Sequence, residues 1–357
     1  MSRYLIDKYQ ALEAYTPGEQ PRDMQYVKLN TNESPYPPAP GVVEAVQAEA
    51  GRLQLYSDPV CADLRDALAA RYGVARENVF VSNGSDDILN FSFMAFGSPR
   101  AYFPDISYGF YPVYAGLHGI EAHPVPLKAD FSIDPTDYMA LDGFVAIANP
   151  NAPTGMTLGA AQIEDIVASN PGHVVLIDEA YVDFGAESCV PLTTKYDNLL
   201  VVQTFSKSRS MAGARLGFAI ANAGLISDLE RIKFSTNPYS VNRMTLAAGL
   251  ATLKADDACM ENCRRVIDTR ETTVARLRQM GFEVLPSKAN FVFARHPLAD
   301  GGFLYRQLKA RGVLVRHFDT PRIKDYLRIT IGAPEQMEAL FEKLGEILGG
   351  TDVEDKF

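Results

Sequence analysis

The chain has 357 residues, 47% hydrophobic and 22% charged, the balance of a globular protein long enough for about two domains. Its formal net charge of −10 argues against nucleic acid or an anionic membrane as the main partner, and no apolar run approaches a membrane span. An acidic chain that handles anionic metabolites needs local cations, so its arginines carry information.

Met1 to Gln10 lacks the apolar core of a signal peptide. Cys61, Cys189, Cys259 and Cys263 form no CxxC pair; Cys259 and Cys263 stand i, i+4 without a nearby histidine and read as core residues. A reducing, cytoplasmic setting is expected.

Residues 1–40 are mixed and proline-rich. Asn30 to Pro40 (NTNESPYPPAP) is neither helix nor central strand, and the segment reads as an extended arm. Val42–Leu53 and Ala62–Tyr72 have helical spacing; the second sets Leu64, Leu68 and Tyr72 on one face and stops at Gly73. Leu55 to Pro59 is the loop between them. An alternation follows. Val79–Ser82 reads as a strand and Asp86–Phe96 as a helix. Ala101–Phe103, Ala122–Pro126 and Phe144–Ala148 are strands, and the helix Ala160–Ser169 precedes the strand Val174–Asp178. Strands at 199–203 and 216–220 complete the set. This order implies a mostly parallel, helix-covered sheet in a large α/β domain over residues 41–250.

After Ser240 the character changes. A long amphipathic helix is expected over Asp257–Met280, stopped by Gly281. Short strands at Phe282–Leu285, Phe291–Ala294, Val313–Val315 and Leu327–Thr330 come with helices near 303–311 and 335–348. Pro334 suits the first position of the last helix. These make a smaller α+β domain over 251–357. The acidic tail Thr351–Phe357 is expected to fray.

The informative stretches fall where strands end. Lys207 lies just past the run Leu199–Gln203, where open α/β sheets bind ligands. Thr204, Ser206, Ser208 and Ser210 fence it with hydroxyls, and Arg209 and Arg215 are near in sequence. A second cation favours the free amine that forms Schiff bases. Taken alone, Lys207 reads as a solvated loop lysine. Ser82 to Asp87 (SNGSDD) joins a strand to a helix. Gly84 permits a tight turn, and the amides that follow attract phosphate; a plain N-cap by Ser85 or Asp86 explains the same residues. Asn149 to Gly155 (NPNAPTG) is a rigid turn offering amide groups, or a structural turn and nothing more. Asp178 ends an apolar strand with Tyr181 three residues on, and either needs a cation or caps a helix. Together these parts are what a pyridoxal phosphate site needs. GxGxxG and GxxxxGK[ST] are absent, and no two histidines have metal-motif spacing.

Carrying these motifs in order, the sequence resembles the fold-type I pyridoxal-phosphate aminotransferases, and within them the histidinol-phosphate aminotransferase family. The match runs from Leu29–Pro35 (LNTNESP) through SNGSD, NPNAPTG, Asp178–Tyr181 (DEAY), Ser206-Lys207 and Ala214–Gly217 (ARLG) to Tyr326–Gly332 (YLRITIG). The resemblance implies a large domain with a mixed, mostly parallel seven-stranded sheet between helices, a smaller α+β domain, and an N-terminal arm packed on the smaller one. It implies Lys207 as the cofactor-bonded lysine and proton carrier, Asp178 on the ring nitrogen, Tyr181 on the ring oxygen O3′ and Tyr108 stacked on the ring. Gly84, Ser85, Asp86, Thr204, Ser206 and Arg215 would form the phosphate cup. Tyr56 would reach the phosphate of the neighbouring subunit's cofactor, which implies a homodimer. Arg328 would bind the dicarboxylate and the substrate phosphate, and Arg316 would be a second anion contact. Tyr15, Asn32, Glu33 and Asn290 would line the substrate pocket. Ala152 replaces the family's asparagine before Pro-Thr-Gly, so Asn151 or Asn149 is expected to supply its contact to O3′. The implied reaction moves the amino group of L-histidinol phosphate to 2-oxoglutarate, giving imidazole-acetol phosphate and glutamate with ping-pong kinetics. One or two altered pocket contacts would give an aromatic amino-acid aminotransferase or a threonine-phosphate decarboxylase instead. A non-catalytic regulator of the same fold is the reading from another class.

Overall fold

The computed structural model describes residues 2–10 and 12–349, so the tail Thr351–Phe357 lies outside the described residues. The arm carries β1 (Val27–Lys28), followed by α1 (Val42–Ala50) and α2 (Ala62–Tyr72). The next strands are β2 (Val79–Ser82), β3 (Arg100–Pro104), β4 (Glu121–Val125), β5 (Phe144–Ala148), β6 (Val175–Asp178), β7 (Leu199–Thr204) and β8 (Gly217–Ala221). They form one seven-stranded sheet in the order β2-β8-β7-β6-β5-β3-β4. Helices α3 (Ser85–Phe96), α4 (Phe110–His118) and α5 (Ala160–Ser169) lie between these strands, and α6 (Ala223–Thr236) and α7 (Arg243–Lys254) follow them.

The central strands are apolar on both faces because both faces are covered. Val145, Ile147, Val175, Ile177 and Val201 enter one core, and the alternating Phe144, Ala146, Leu176, Leu200 and Val202 enter the other. Only β8 runs against its neighbours. Antiparallel neighbours need no crossover helix, so the connection from β7 to β8 is a short loop, and Lys207 is on it. The reversal brings the start of β8 to the edge where β2, β5, β6 and β7 end. There Gly217 pairs with both Ser82 and Thr204. A Cβ on Gly217 would stand 2.4 Å from the Gly84 carbonyl carbon, so this approach demands glycine.

The remainder begins with α8 (Asp256–Gln279), β9 (Glu283–Val284), β10 (Phe291–Arg295), α9 (Gly301–Ala310), β11 (Val313–Leu314), β12 (Arg316–His317), β13 (Tyr326–Thr330) and α10 (Pro334–Gly349). An antiparallel sheet has the order β12-β13-β10-β9, while β11 pairs in parallel with β1 of the arm. The strand expected at 313–315 thus belongs to the arm's ladder rather than to the smaller sheet. Three helices stand where none was expected. In α4, Pro112 falls in the first turn, where a missing N–H costs nothing. The boundary expected at residue 250 falls inside α7, which packs on α1; we propose a division after Lys254. Among the described residues no helix is long and apolar enough to cross a membrane.

Candidate active site

The converging strand ends enclose two joined compartments. The inner one, about 90 Å³, is lined by Asp86, Asp178, Thr204, Ser206 and Arg215 among others. The outer one, about 420 Å³, is lined by the arm, the large sheet's loops and the smaller sheet. Tyr108, Ala152, Tyr181 and Lys207 face both.

Lys207 Nζ donates to the Thr31 carbonyl at 3.3 Å and stands 5.7 Å from the Tyr181 ring centroid. Asp178, at the end of β6, is 5% exposed. It accepts hydrogen bonds from the Ala180 amide at 3.1 Å and the Tyr111 hydroxyl at 3.2 Å. Among the described residues no cation forms an ion pair with it. Burial pushes its carboxyl up to about 6, against the opposing pull of the Ala180 amide, Tyr111 and Lys207.

At the other end of the inner compartment, Gly84 holds the N-cap place of α3 with φ 85°, and Ser85 and Asp86 are already helical. A Cβ on Gly84 would lie 2.7 Å from Arg215 Nη2. Arg215 Nη2 donates to Asp86 at 2.7 Å, and the Tyr108 hydroxyl donates to the other oxygen of Asp86 at 2.7 Å. Thr204 donates to Ser206 at 3.0 Å. Unpaired helix amides, two hydroxyls and a guanidinium make this end an anion site.

In the outer compartment Tyr15 stacks on Phe110, centroids 4.2 Å apart. Arg316 and Arg328 are directly opposite each other on β12 and β13. Like charges in that register repel, and an anion between them relieves the repulsion. Both hold arm carbonyls: Arg328 donates to Asn30 at 2.8 Å, and Arg316 to Thr16 and Pro17 at 3.1 and 3.2 Å. Arg328 Nε is buried with no hydrogen-bond partner. Burial lowers the Arg328 pKa, while Tyr181 and Tyr15 favour its cation; the guanidinium remains charged. Asn32 donates to the Tyr181 hydroxyl at 3.0 Å, and Asn290 donates to the Asn32 carbonyl at 3.0 Å. Asn290 therefore supports the wall from behind.

Several expected residues lie elsewhere. Asn151 is a correction: its amide donates to Ile106 and Thr154, and its oxygen accepts from Ser107. Asn149 is likewise tied to Leu158 through both ends of its amide. Neither reaches the compartment; the apolar Ala152 faces it. Arg209, read as a second cation beside Lys207, is fully buried against Asp183 and Asp256. Ser208 and Ser210 face Asp183 and Ser34. Glu33 pairs with Lys28 at 2.8 Å outside the lining. Tyr56 is 79% exposed and stacks on Tyr239 at 4.5 Å, on the surface of its own chain.

Sequence reasoning missed Tyr111, the Thr31 carbonyl and Thr330. Tyr111 was findable, because it closes the same aromatic stretch, Tyr108-Gly-Phe-Tyr111, that supplied Tyr108. Thr330 follows Arg328 at the i, i+2 spacing of one strand face. Nothing local marks the Thr31 carbonyl.

The Aminotransferase class I and II family model matches residues 24–344. Histidinol-phosphate aminotransferase of Brachyspira hyodysenteriae is 49% identical over 352 residues, 98% of this chain and 99% of that one. Its counterpart in Marinomonas sp. is 52% identical over 95% of this chain and 98% of its own. A solved structure described as a putative histidinol-phosphate aminotransferase from Erwinia carotovora atroseptica superposes with TM-score 0.83 at 25% identity, covering 90% of this chain and 96% of that one. A nearly end-to-end likeness at this level, on a sheet edge that gathers an amine, a buried carboxylate and an anion cup, places the chain in the class I and II aminotransferases, among the histidinol-phosphate aminotransferases.

Proposed function

We propose that this protein transfers the amino group of L-histidinol phosphate to 2-oxoglutarate, using pyridoxal 5′-phosphate held at Lys207. The observation that carries the reading is the register of Arg316 and Arg328, which sets two cations opposite each other on the chamber that Lys207 enters. A substrate ending in phosphate and a dicarboxylate both present an anion there, and a planar guanidinium accepts either one.

The residues present fit the cofactor. Asp178 is a buried carboxylate that forms no ion pair among the described residues, which matches a protonated ring nitrogen. The start of α3 with Thr204, Ser206 and Arg215 matches a phosphate, and Tyr108 and Ala152 stand where both compartments meet. When bound, pyridoxal phosphate supplies an electron sink for the charge that develops at the substrate's α carbon. Asp178 keeps the ring nitrogen protonated. Arg328 and Arg316 fix the substrate's anionic end, so that its α carbon is presented to Lys207. Lys207 is the one amine among the described residues lining either compartment, and it carries the proton away from that carbon. Tyr15, stacked on Phe110, and Phe318 give the chamber aromatic walls, which limit water.

The reading includes a cytoplasmic homodimer. Four buried free cysteines suit a reducing compartment. Leu53, Leu55, Tyr56, Val60, Phe234 and Tyr239 are exposed, and Tyr56 stacks on Tyr239, apolar surface that a second copy would cover. A monomer in sedimentation would remove that part.

The substrate is tested with purified holoenzyme and three compounds: histidinol phosphate, phenylalanine and threonine phosphate. At least a tenfold preference in kcat/KM for histidinol phosphate is expected, with glutamate formed from 2-oxoglutarate. Faster phenylalanine turnover, or carbon dioxide release from threonine phosphate, would replace this reading with one of the neighbouring reactions.

A further inference from the structure

Asn32 is 1% exposed and sits in the left-handed region at φ 56°. Its hydrogen bonds form a closed chain of donors and acceptors. The Asn32 backbone N–H donates to Thr330 Oγ1 at 3.0 Å. Thr330 Oγ1–H donates to Asn32 Oδ1 at 3.0 Å. Asn32 Nδ2–H donates to the Tyr181 hydroxyl oxygen at 3.0 Å.

The orientation of the amide follows from this chain. Were Asn32 flipped, its nitrogen would face Thr330, and the threonine proton would have no acceptor there. With the oxygen on Thr330, every polar group of the pair is satisfied. Tyr181 then accepts from Asn32, so its own proton points away from the arm. Among the described residues nothing accepts that proton. Tyr181 faces both compartments, and it packs beside the apolar cluster of Ala152, Ala289 and Phe291.

We propose that Asn32, oriented by Thr330, is a positioning residue that holds Tyr181 as a hydrogen-bond donor toward the phenolic oxygen of bound pyridoxal phosphate. Consecutive hydrogen bonds polarise one another, so the tyrosine is a stronger donor than an isolated phenol. Because Ala152 offers no amide, Tyr181 is the donor that oxygen has. The donated bond draws charge from the phenolic oxygen and weakens its hold on the neighbouring proton of the Lys207–cofactor linkage. The arm and β13, which also carries Arg328, are thereby wired to the electronics of the linkage. This inference rests on the proposed binding of pyridoxal phosphate at Lys207.

The test is a visible-absorbance pH titration of resting holoenzyme, without substrate. Asn32→Gly removes the side chain without penalising the positive φ. Asn32→Asp keeps the shape, but its carboxylate accepts the Tyr181 proton and turns the donor away from the cofactor. The transition midpoint is expected to rise by about one pH unit in Asn32→Asp and by less in Asn32→Gly. Thr330→Val frees the amide to turn and should raise the midpoint too, while Thr330→Ser should restore the wild-type value. Midpoints unchanged in both Asn32 variants, with the visible band present, overturn the inference alone. Absence of any visible band in the wild-type protein after adding pyridoxal phosphate overturns the cofactor reading beneath it. Circular dichroism identifies a variant that has not folded, and the remaining three then decide.

Discussion

The two compartments are built by different means. The inner one is made at the ends of β2, β5, β6 and β7 and the start of β8, with Tyr108 added from the loop after β3. Its precision comes from the sheet: Gly84 and Gly217 touch because their strands pair. The outer one is assembled from three distant segments, and backbone carbonyls of the arm accept from its cations: Thr16 and Pro17 from Arg316, Asn30 from Arg328, Thr31 from Lys207. A chamber built on sheet ends is rigid before any ligand arrives. The outer chamber depends instead on the arm, which the β1–β11 pairing and the buried Leu29 tie to the smaller domain.

The largest expected effect breaks the junction between them. Lys207→Ala should lose about four orders of magnitude in turnover while still binding pyridoxal phosphate noncovalently. Substantial transamination by that variant would refute the role assigned to Lys207. Next comes a change confined to the outer chamber. Arg328→Lys keeps a charge but loses the fork, and kcat/KM should fall about 100-fold for histidinol phosphate and for 2-oxoglutarate alike. Its cofactor affinity should match wild type; a loss there as large as in kcat/KM would mean that the compartments do not act separately.

The smallest effect sharpens the inner side. Burial raises the Asp178 carboxyl above its ordinary value to about 6. A raised acid stabilises the fold below its unfolded pKa, and that stability is lost as pH climbs from about 4 through about 6. Cofactor-free Asp178→Asn should therefore be more stable than wild type at pH 8 by about 3 kcal/mol and nearly equal to it near pH 4, measured by denaturant unfolding. With cofactor added the order should reverse, because the native carboxylate then has a cation. A variant less stable at pH 8 without cofactor would contradict the strain assigned to this buried charge.

Much of the inner compartment was legible because its motifs are contiguous. A strand-end lysine, a strand-end aspartate and a glycine before a helix each mark their place locally. The asparagine assignment failed for the opposite reason: Asn149 and Asn151 lie in the right turn, but which way an amide points depends on Ile106, Ser107 and Leu158 across the fold. Arg209 misled in the same way, since proximity in sequence to Lys207 said nothing of Asp183 and Asp256, which hold it on the far side.

By itself, then, the order of residues determined the alternation of strands and helices, the apolar strands that bury both faces, and the chemical groups parked at their ends. These follow from periodicity and turn chemistry, which act over a few residues. Only the tertiary structure decided that β8 runs backward, that Arg316 opposes Arg328, and that Asn32 hands a hydrogen bond to Tyr181 from Thr330, 298 positions away. Such pairings arise when distant segments share one buried space and each polar group there must find a partner, a condition no local pattern can express.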